Sequence, residues 1–296
     1  ENLWIKYSKS RGFDRRRKKK NVLMIDRGKQ FEFAVMKSAY SRLKEPSLTK
    51  LSMLNYFNGQ PIESAIQNAA DKMVDRIGGS RNTILGNDRF YDSFILMGGQ
   101  RPEPKTDIIF RKSGVKHRCS LKYGGRFQLS SAGIESSVKV MNGVLTKVSF
   151  SGGLGGLEVK RVASVLSELS EIFQGPKRQE KPIMDRLMRE AKKEGGINER
   201  LQDILGSRKL PQGSKVYQTF KEELVREALT GRIAFGANND KTANFILTDK
   251  YLRRIDATLV REVTSRTYVD IRPKGRGITK EGIKLNEAVV RIESID

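Results

Sequence analysis

Asp107, Ser120 and Lys122 are the residues whose types and spacing point most directly to chemistry. Asp107 begins a short apolar run, Asp107-Ile108-Ile109-Phe110, which leads into a turn at Lys112-Ser113-Gly114 and back along residues 115–123. Glycine reaches backbone conformations that cost other residues energy, so the turn is tight and the two runs read as a β-hairpin. Alternate side chains of a strand share a face. Ser120 and Lys122 therefore point one way, with Arg118 and Lys116 behind them, while Cys119 and Leu121 turn towards a core. Asp107 opens the partner strand, which sets an acid beside a lysine at one end of a sheet. A carboxylate there can hold a hard divalent cation. A lysine nearby can orient a water and offset charge developing on a phosphate. That is the outline of phosphodiester cleavage. The plainer reading of the same residues is a basic hairpin with one solvated aspartate.

Helices must hold this hairpin. Residues 29–43 repeat apolar positions at helical spacing (Phe31, Val35, Ala39 and Met36, Tyr40, Leu43), with Glu32 at the border of the stripe. A carboxylate at the edge of a buried face needs a partner, which a metal or an arginine would supply. A second helix, 62–77, carries Ile66, Ala69, Ala70, Met73, Val74 and Ile77 on one face, and Gly78-Gly79-Ser80 closes it. Residues 90–96 read as a strand or a short helix, and a Gly- and Pro-rich loop delivers the chain to Asp107.

This order resembles the restriction-endonuclease-like PD-(D/E)XK nuclease superfamily. Thr106-Asp107 stands where the family has Pro-Asp, and Ser120-Leu121-Lys122 stands where it has (D/E)-x-K. The likeness covers roughly residues 28–137, and on it residues 128–137 are the helix that follows the motif strand. It implies a Mg²⁺- or Mn²⁺-dependent endonuclease, a hydrolase acting on DNA rather than RNA because the superfamily acts mostly on DNA. It further implies Asp107 as metal ligand, the Leu121 carbonyl as another, Lys122 as the group that positions water, Ser120 as a hydrogen-bonding group, and Gln128 steadying the site from the next helix. The departure is Ser120, which replaces the family's second acid. Some members move that acid to a neighbouring helix, and Glu32 would supply it here.

Composition sets the partner class. The 296 residues suffice for one large domain or two ordinary ones with real cores. Lys and Arg number 57 against 34 Asp and Glu, a net charge of +23 that makes a polyanion the natural partner. The expected contacts are the run Arg15, Arg16, Arg17, Lys18, Lys19 and Lys20, together with Lys116, Arg118, Arg126, Lys274 and Arg276. Trp4 and Tyr7 precede the run and are placed to dock it or stack on bases. No apolar run approaches the ~20 residues that span a bilayer, and no signal peptide is visible. Membrane is therefore not an expected partner, and the expected setting is the cytoplasm, the nucleoid or a virion. The chain begins at Glu1 rather than Met, which reads as processing or trimming. With one Cys and one His, an internal disulfide and a Cys/His zinc site are both out of reach. His117 and Cys119 share a strand face, either as a thiol–imidazole pair or, more simply, as packed strand residues.

The remaining chain gives an α/β (α+β) expectation: a central mixed sheet flanked by helices, restriction-endonuclease-like, with a C-terminal β-rich extension. Its divisions are a basic arm at 1–27, a nuclease-like core at 28–173, a charged linker or lid at 174–215 containing two short helices, and a helix plus β-rich region at 216–296. Residues 138–140 and 145–150 read as strands, as do 233–235, 243–248, 257–263, 267–271 and 288–292. Ser151-Gly152-Gly153-Leu154-Gly155-Gly156 reads as a flexible turn rather than a phosphate cradle, since it lacks a P-loop lysine. Pro273 to Gly277 reads as a basic turn facing a phosphate backbone. The alternative to a nuclease is a non-catalytic nucleic-acid-binding protein, a tailed-phage virion or nucleoid component on a nuclease-like fold. Oligomeric state is left open, a dimer being compatible.

Overall fold

The computed structural model describes residues 26–79, 87–97, 103–124, 128–173, 178–279 and 281–294. In chain order the first elements are α1 (Arg27–Tyr40), α2 (Leu48–Asn58), α3 (Ser64–Gly78), α4 (Asn87–Asp92), β1 (Ile95–Leu96), β2 (Ile108–Lys112) and β3 (Val115–Lys122). They are followed by β4 (Gln128–Gly133), α5 (Ile134–Phe150), α6 (Gly156–Ile172), β5 (Gln179–Glu180), α7 (Lys181–Lys192), α8 (Ile197–Leu205) and α9 (Gln218–Thr230). The last are α10 (Arg232–Phe235), β6 (Phe245–Thr248), β7 (Leu252–Arg254), α11 (Ala257–Thr264), β8 (Thr267–Ile278) and β9 (Lys284–Ser294). The protein is thus α+β, with a mixed sheet flanked by helices.

Two compact units share the chain, one from Glu1–Gly124 with Leu229–Ile255, the other from Gly125–Ala228 with Asp256–Asp296. The first unit is built on a five-stranded sheet in the order β1-β2-β3-β6-β7. The expected hairpin is there: β2 and β3 are antiparallel, with Ile108 opposite Cys119 and Lys112 opposite Val115. Ser113 and Gly114, at φ 50° and 77°, form the two-residue turn between them. Positive φ at both central residues matches the right-handed twist of the flanking strands. β3 then pairs with β6 in parallel, Lys122 against Thr248. Parallel neighbours need a crossover, and the whole 125–228 portion of the second unit is inserted into this one.

Helix α1 starts at Asp26, whose side chain accepts the Lys29 amide at 3.1 Å. Phe31, Phe33, Val35 and Met36 of α1 join Ile66, Met73 and Val74 of α3 in one core with Ile108, Phe110, Cys119, Leu121 and Leu247 of the sheet. The helices therefore cover the sheet face that carries Cys119 and Leu121. Buried side chains of this size stabilise by roughly 1.5–3 kcal/mol each.

In the second unit β9 is the central strand. It pairs with β8 along almost its whole length and with β4 and β5. Several expected elements change here. Residues 138–140 and 145–150 belong to α5 and not to strands. Val138, Met141, Val144, Leu145 and Val148 are all buried at helical spacing, so periodicity overrides the β-preference of the valines. Residues 128–133, expected in a helix, are strand β4. Residues 257–263 are helical as well, capped by Asp256 accepting the Leu259 amide at 2.8 Å, and in the first unit 232–235 form a short helix where a strand was expected. Pro273 to Gly277 lies inside β8 rather than in a turn. Within 174–215, Met184, Met188, Leu201 and Ile204 are buried, so α7 and α8 are core helices of this unit and not a linker or lid.

Candidate functional site

The hairpin brings Asp107 and Ser120 into contact. Beyond the first paired residue of β2, the Asp107 amide donates to the Cys119 carbonyl at 2.8 Å. Its carboxylate then continues the ladder: Oδ2 accepts the Leu121 amide at 2.7 Å and the Ser120 hydroxyl at 3.4 Å. No hydrogen bond falls on Oδ1 among the described residues. Lys122, two residues beyond Ser120, lies on the same strand face. It is half-buried, and its ammonium has no acid or hydrogen-bond partner among the described residues. A strand residue turns its N–H and C=O towards the same neighbour, so the Leu121 carbonyl is directed to the Asp107 side. One open carboxylate oxygen, one backbone carbonyl and one unpaired cation thus share the end of a sheet.

The other expected residues are placed differently. Glu32 is ion-paired with Lys29, one turn earlier on α1. That helix packs on the Cys119–Leu121 face, whereas Asp107 and Ser120 meet on the opposite one. The ordinary partner of Glu32 is therefore a lysine of its own helix. Gln128 is an exposed residue of β4, in the second unit and not on a helix. Among the described residues no three His, Cys, Asp or Glu side chains cluster as metal ligands.

Of the expected nucleic-acid contacts, Lys116 pairs with Asp240 at 2.5 Å. Arg118 donates to the carbonyls of Asn239 at 2.8 Å and Ala237 at 3.3 Å. Both cations brace a loop rather than stand free. Lys274 is half-buried on β8, and Arg276 belongs to the same strand. Arg15, Arg16, Arg17, Lys18, Lys19, Lys20 and Arg126 lie outside the described residues, as do Trp4 and Tyr7.

His117 and Cys119 are packing residues. His117 stacks on Phe110 at 4.9 Å and lies against Phe245 at 4.3 Å, its Nδ1 donating to the Val115 carbonyl at 3.0 Å. Burial lowers its pKa. Burial, then the Asp107 charge, pushes the Cys119 thiol well up, which keeps it unreactive. The glycine run before α6 is closed by that helix's own Glu158, which lies against Gly155, so an internal carboxylate already occupies the helix start.

Two residues near the site were given no chemical role from the sequence, Thr106, which stands where the family has Pro, and Asp249. Thr106 is fully buried with its Oγ1 unpartnered among the described residues. Asp249 follows Thr248, the residue paired with Lys122, and its Oδ1 is shielded without a hydrogen-bond partner among the described residues. Hydropathy patterning could not have flagged Asp249, because its place beside the Lys122 end of β3 depends on the β3–β6 pairing.

Compared with known proteins, the chain matches no family model, no curated sequence and no solved structure. No described helix is long and apolar enough to cross a membrane.

Proposed function

We propose that the protein is a divalent-metal-dependent nuclease of the restriction-endonuclease-like type, acting on DNA in preference to RNA through Asp107, Ser120 and Lys122. The observation that carries this reading is the Asp107–Ser120 contact beside an unpaired Lys122 at one end of a mixed sheet. The donor set suits Mg²⁺ or Mn²⁺. Mg²⁺ keeps several waters and is held by one or two carboxylates plus substrate phosphate, so Asp107 Oδ1 and the Leu121 carbonyl are a sufficient protein share. Bound there, the cation would supply Lewis acidity to the phosphodiester. Asp107 is kept rigid by its two bonds to β3, so its free oxygen is presented at a fixed point. Ser120 holds the carboxylate from the side. Lys122 orients the attacking water and offsets charge on the phosphate as it develops. The net charge of +23 draws the polyanion in.

A second reading, a nucleic-acid-binding protein without catalysis, is favoured by one observation. Ser120 replaces an acid, and Glu32 is engaged by Lys29 rather than free to replace it. Incubation of duplex DNA and of single-stranded RNA with the protein and Mg²⁺ or Mn²⁺ separates the two. Cleavage abolished by a chelator supports the nuclease. Tight binding with no cleavage of either polymer leaves the binding protein.

A further inference from the structure

We infer that the loop of residues 236–244 is a positioning clasp for the site, with Asn244 its keystone; the inference rests on the nuclease reading for its consequence, not for its geometry. Asn244 does the work of a ladder residue ahead of β6. Its amide donates to the Arg118 carbonyl at 2.9 Å, and its Oδ1 accepts the Arg118 amide at 2.8 Å. Its Nδ2 donates to the Lys116 carbonyl at 3.4 Å, and its own carbonyl accepts the Ile255 amide at 2.9 Å. One side chain thereby ties β3 to the entry of β6. Three residues earlier, the Lys241 carbonyl accepts the amides of Lys105 at 2.9 Å and Thr106 at 3.2 Å. Those are the two residues that deliver the chain to Asp107.

Between these anchors the loop is held tightly. Ala243 donates to the Thr230 carbonyl at 3.0 Å, and the Thr242 hydroxyl donates to the Gly236 carbonyl at 2.6 Å. Both residues are buried. Lys116 and Arg118 add their side-chain bonds to Asp240, Asn239 and Ala237. The loop therefore grips β3 through residues 116–118 and the segment leading into β2 through 105–106. Those grips set how far Asp107 stands from Leu121 and Lys122. Asn244 and Thr242 touch neither substrate nor the reacting atoms in this arrangement; they act through Asp107.

The test reads the Leu121 amide, whose proton is protected by Asp107 Oδ2. In Asn244→Ala, hydrogen exchange at Leu121 should quicken about tenfold or more, the scale of one lost hydrogen-bond restraint. Amides of α8 and β9 should keep the parent rate. Asn244→Asp retains the acceptor for Arg118 and should recover most of the protection. If Asn244→Ala does not fold, Thr242→Val, which removes only the bond to Gly236, gives the same readout. On the activity side the variants should need a higher Mg²⁺ concentration for half-maximal cleavage at unchanged KM for DNA. Parent-like exchange at Leu121 in both Asn244→Ala and Thr242→Val overturns the clasp. A parent protein that never cleaves overturns the nuclease reading alone, since the exchange measurement stands without it.

Discussion

Replacing Lys221 by Met should stabilise the protein near neutral pH and lose that advantage in strong alkali. Lys221 is 2% exposed on α9, and its ammonium donates to the Pro211 carbonyl with no carboxylate partner among the described residues. Burial lowers its pKa from 10.5 to about 8. That lowering, at about 1.36 kcal/mol per tenfold change in proton affinity, puts the cost of keeping this charge folded at roughly 3 kcal/mol. Methionine keeps much of the volume without the charge, but strands the Pro211 carbonyl at a cost of about 1 kcal/mol. The net expectation at neutral pH is a gain of about 2 kcal/mol. The sign follows from proton binding. Between pH 8 and 10.5 the unfolded chain holds a proton that the folded chain has released, so the parent's stability rises with pH across that window. Above it both states are neutral, and the variant should be the less stable by about the one lost hydrogen bond. Urea unfolding of parent and variant across this range, with parent minus variant taken at each pH, isolates the residue. A variant less stable than the parent at neutral pH, or a difference that does not move with pH, refutes the reasoning.

Met73→Asp should cost on the order of 3 kcal/mol or more, since Met73 is 1% exposed in the core between α3 and the sheet; a parent-like thermal melt would show the core to be wrongly assigned. Thr106→Val should be neutral or stabilising by up to about 1 kcal/mol, because the buried hydroxyl it removes has no partner among the described residues, and a clear loss in a denaturant titration would reveal a hydrogen bond made by that hydroxyl. Deleting residues 1–20 should flatten the slope of log affinity for duplex DNA against log salt, each lost phosphate contact lowering it by roughly 1; an unchanged slope means that the arm takes no part.

Local pattern made much of the first unit legible. The Ser113-Gly114 turn announced the hairpin, strand alternation set Ser120 and Lys122 on one face, and the apolar stripes of α1 and α3 named the core. The pairing of Glu32 with Lys29 is also local, an i,i+3 contact on one helix in place of the metal or arginine expected beside the apolar stripe. The parallel pairing of Cys119 with Phe245 was not legible, because nothing local to either residue encodes a partner so far along the chain. The interleaving of the two units followed from that pairing. In the second unit the valines of α5 suggested strands while their spacing specified a helix, and Pro273, Gly275 and Gly277 suggested a turn where β8 runs on beside β9.

Asp107→Ala and Lys122→Ala, assayed for Mg²⁺-dependent cleavage of duplex DNA, test the central claim most directly. On the proposed reading, Asp107 carries the oxygen that would fix the cation, and Lys122, which has no partner among the described residues, the charge that would face the phosphate. Each substitution should abolish cleavage, a loss of roughly 3 kcal/mol of transition-state stabilisation or more for the lysine. DNA affinity should stay near the parent's, because most of the +23 net charge lies elsewhere in the chain. Cleavage that persists undiminished in both variants would contradict the account by placing the reacting centre away from this end of the sheet.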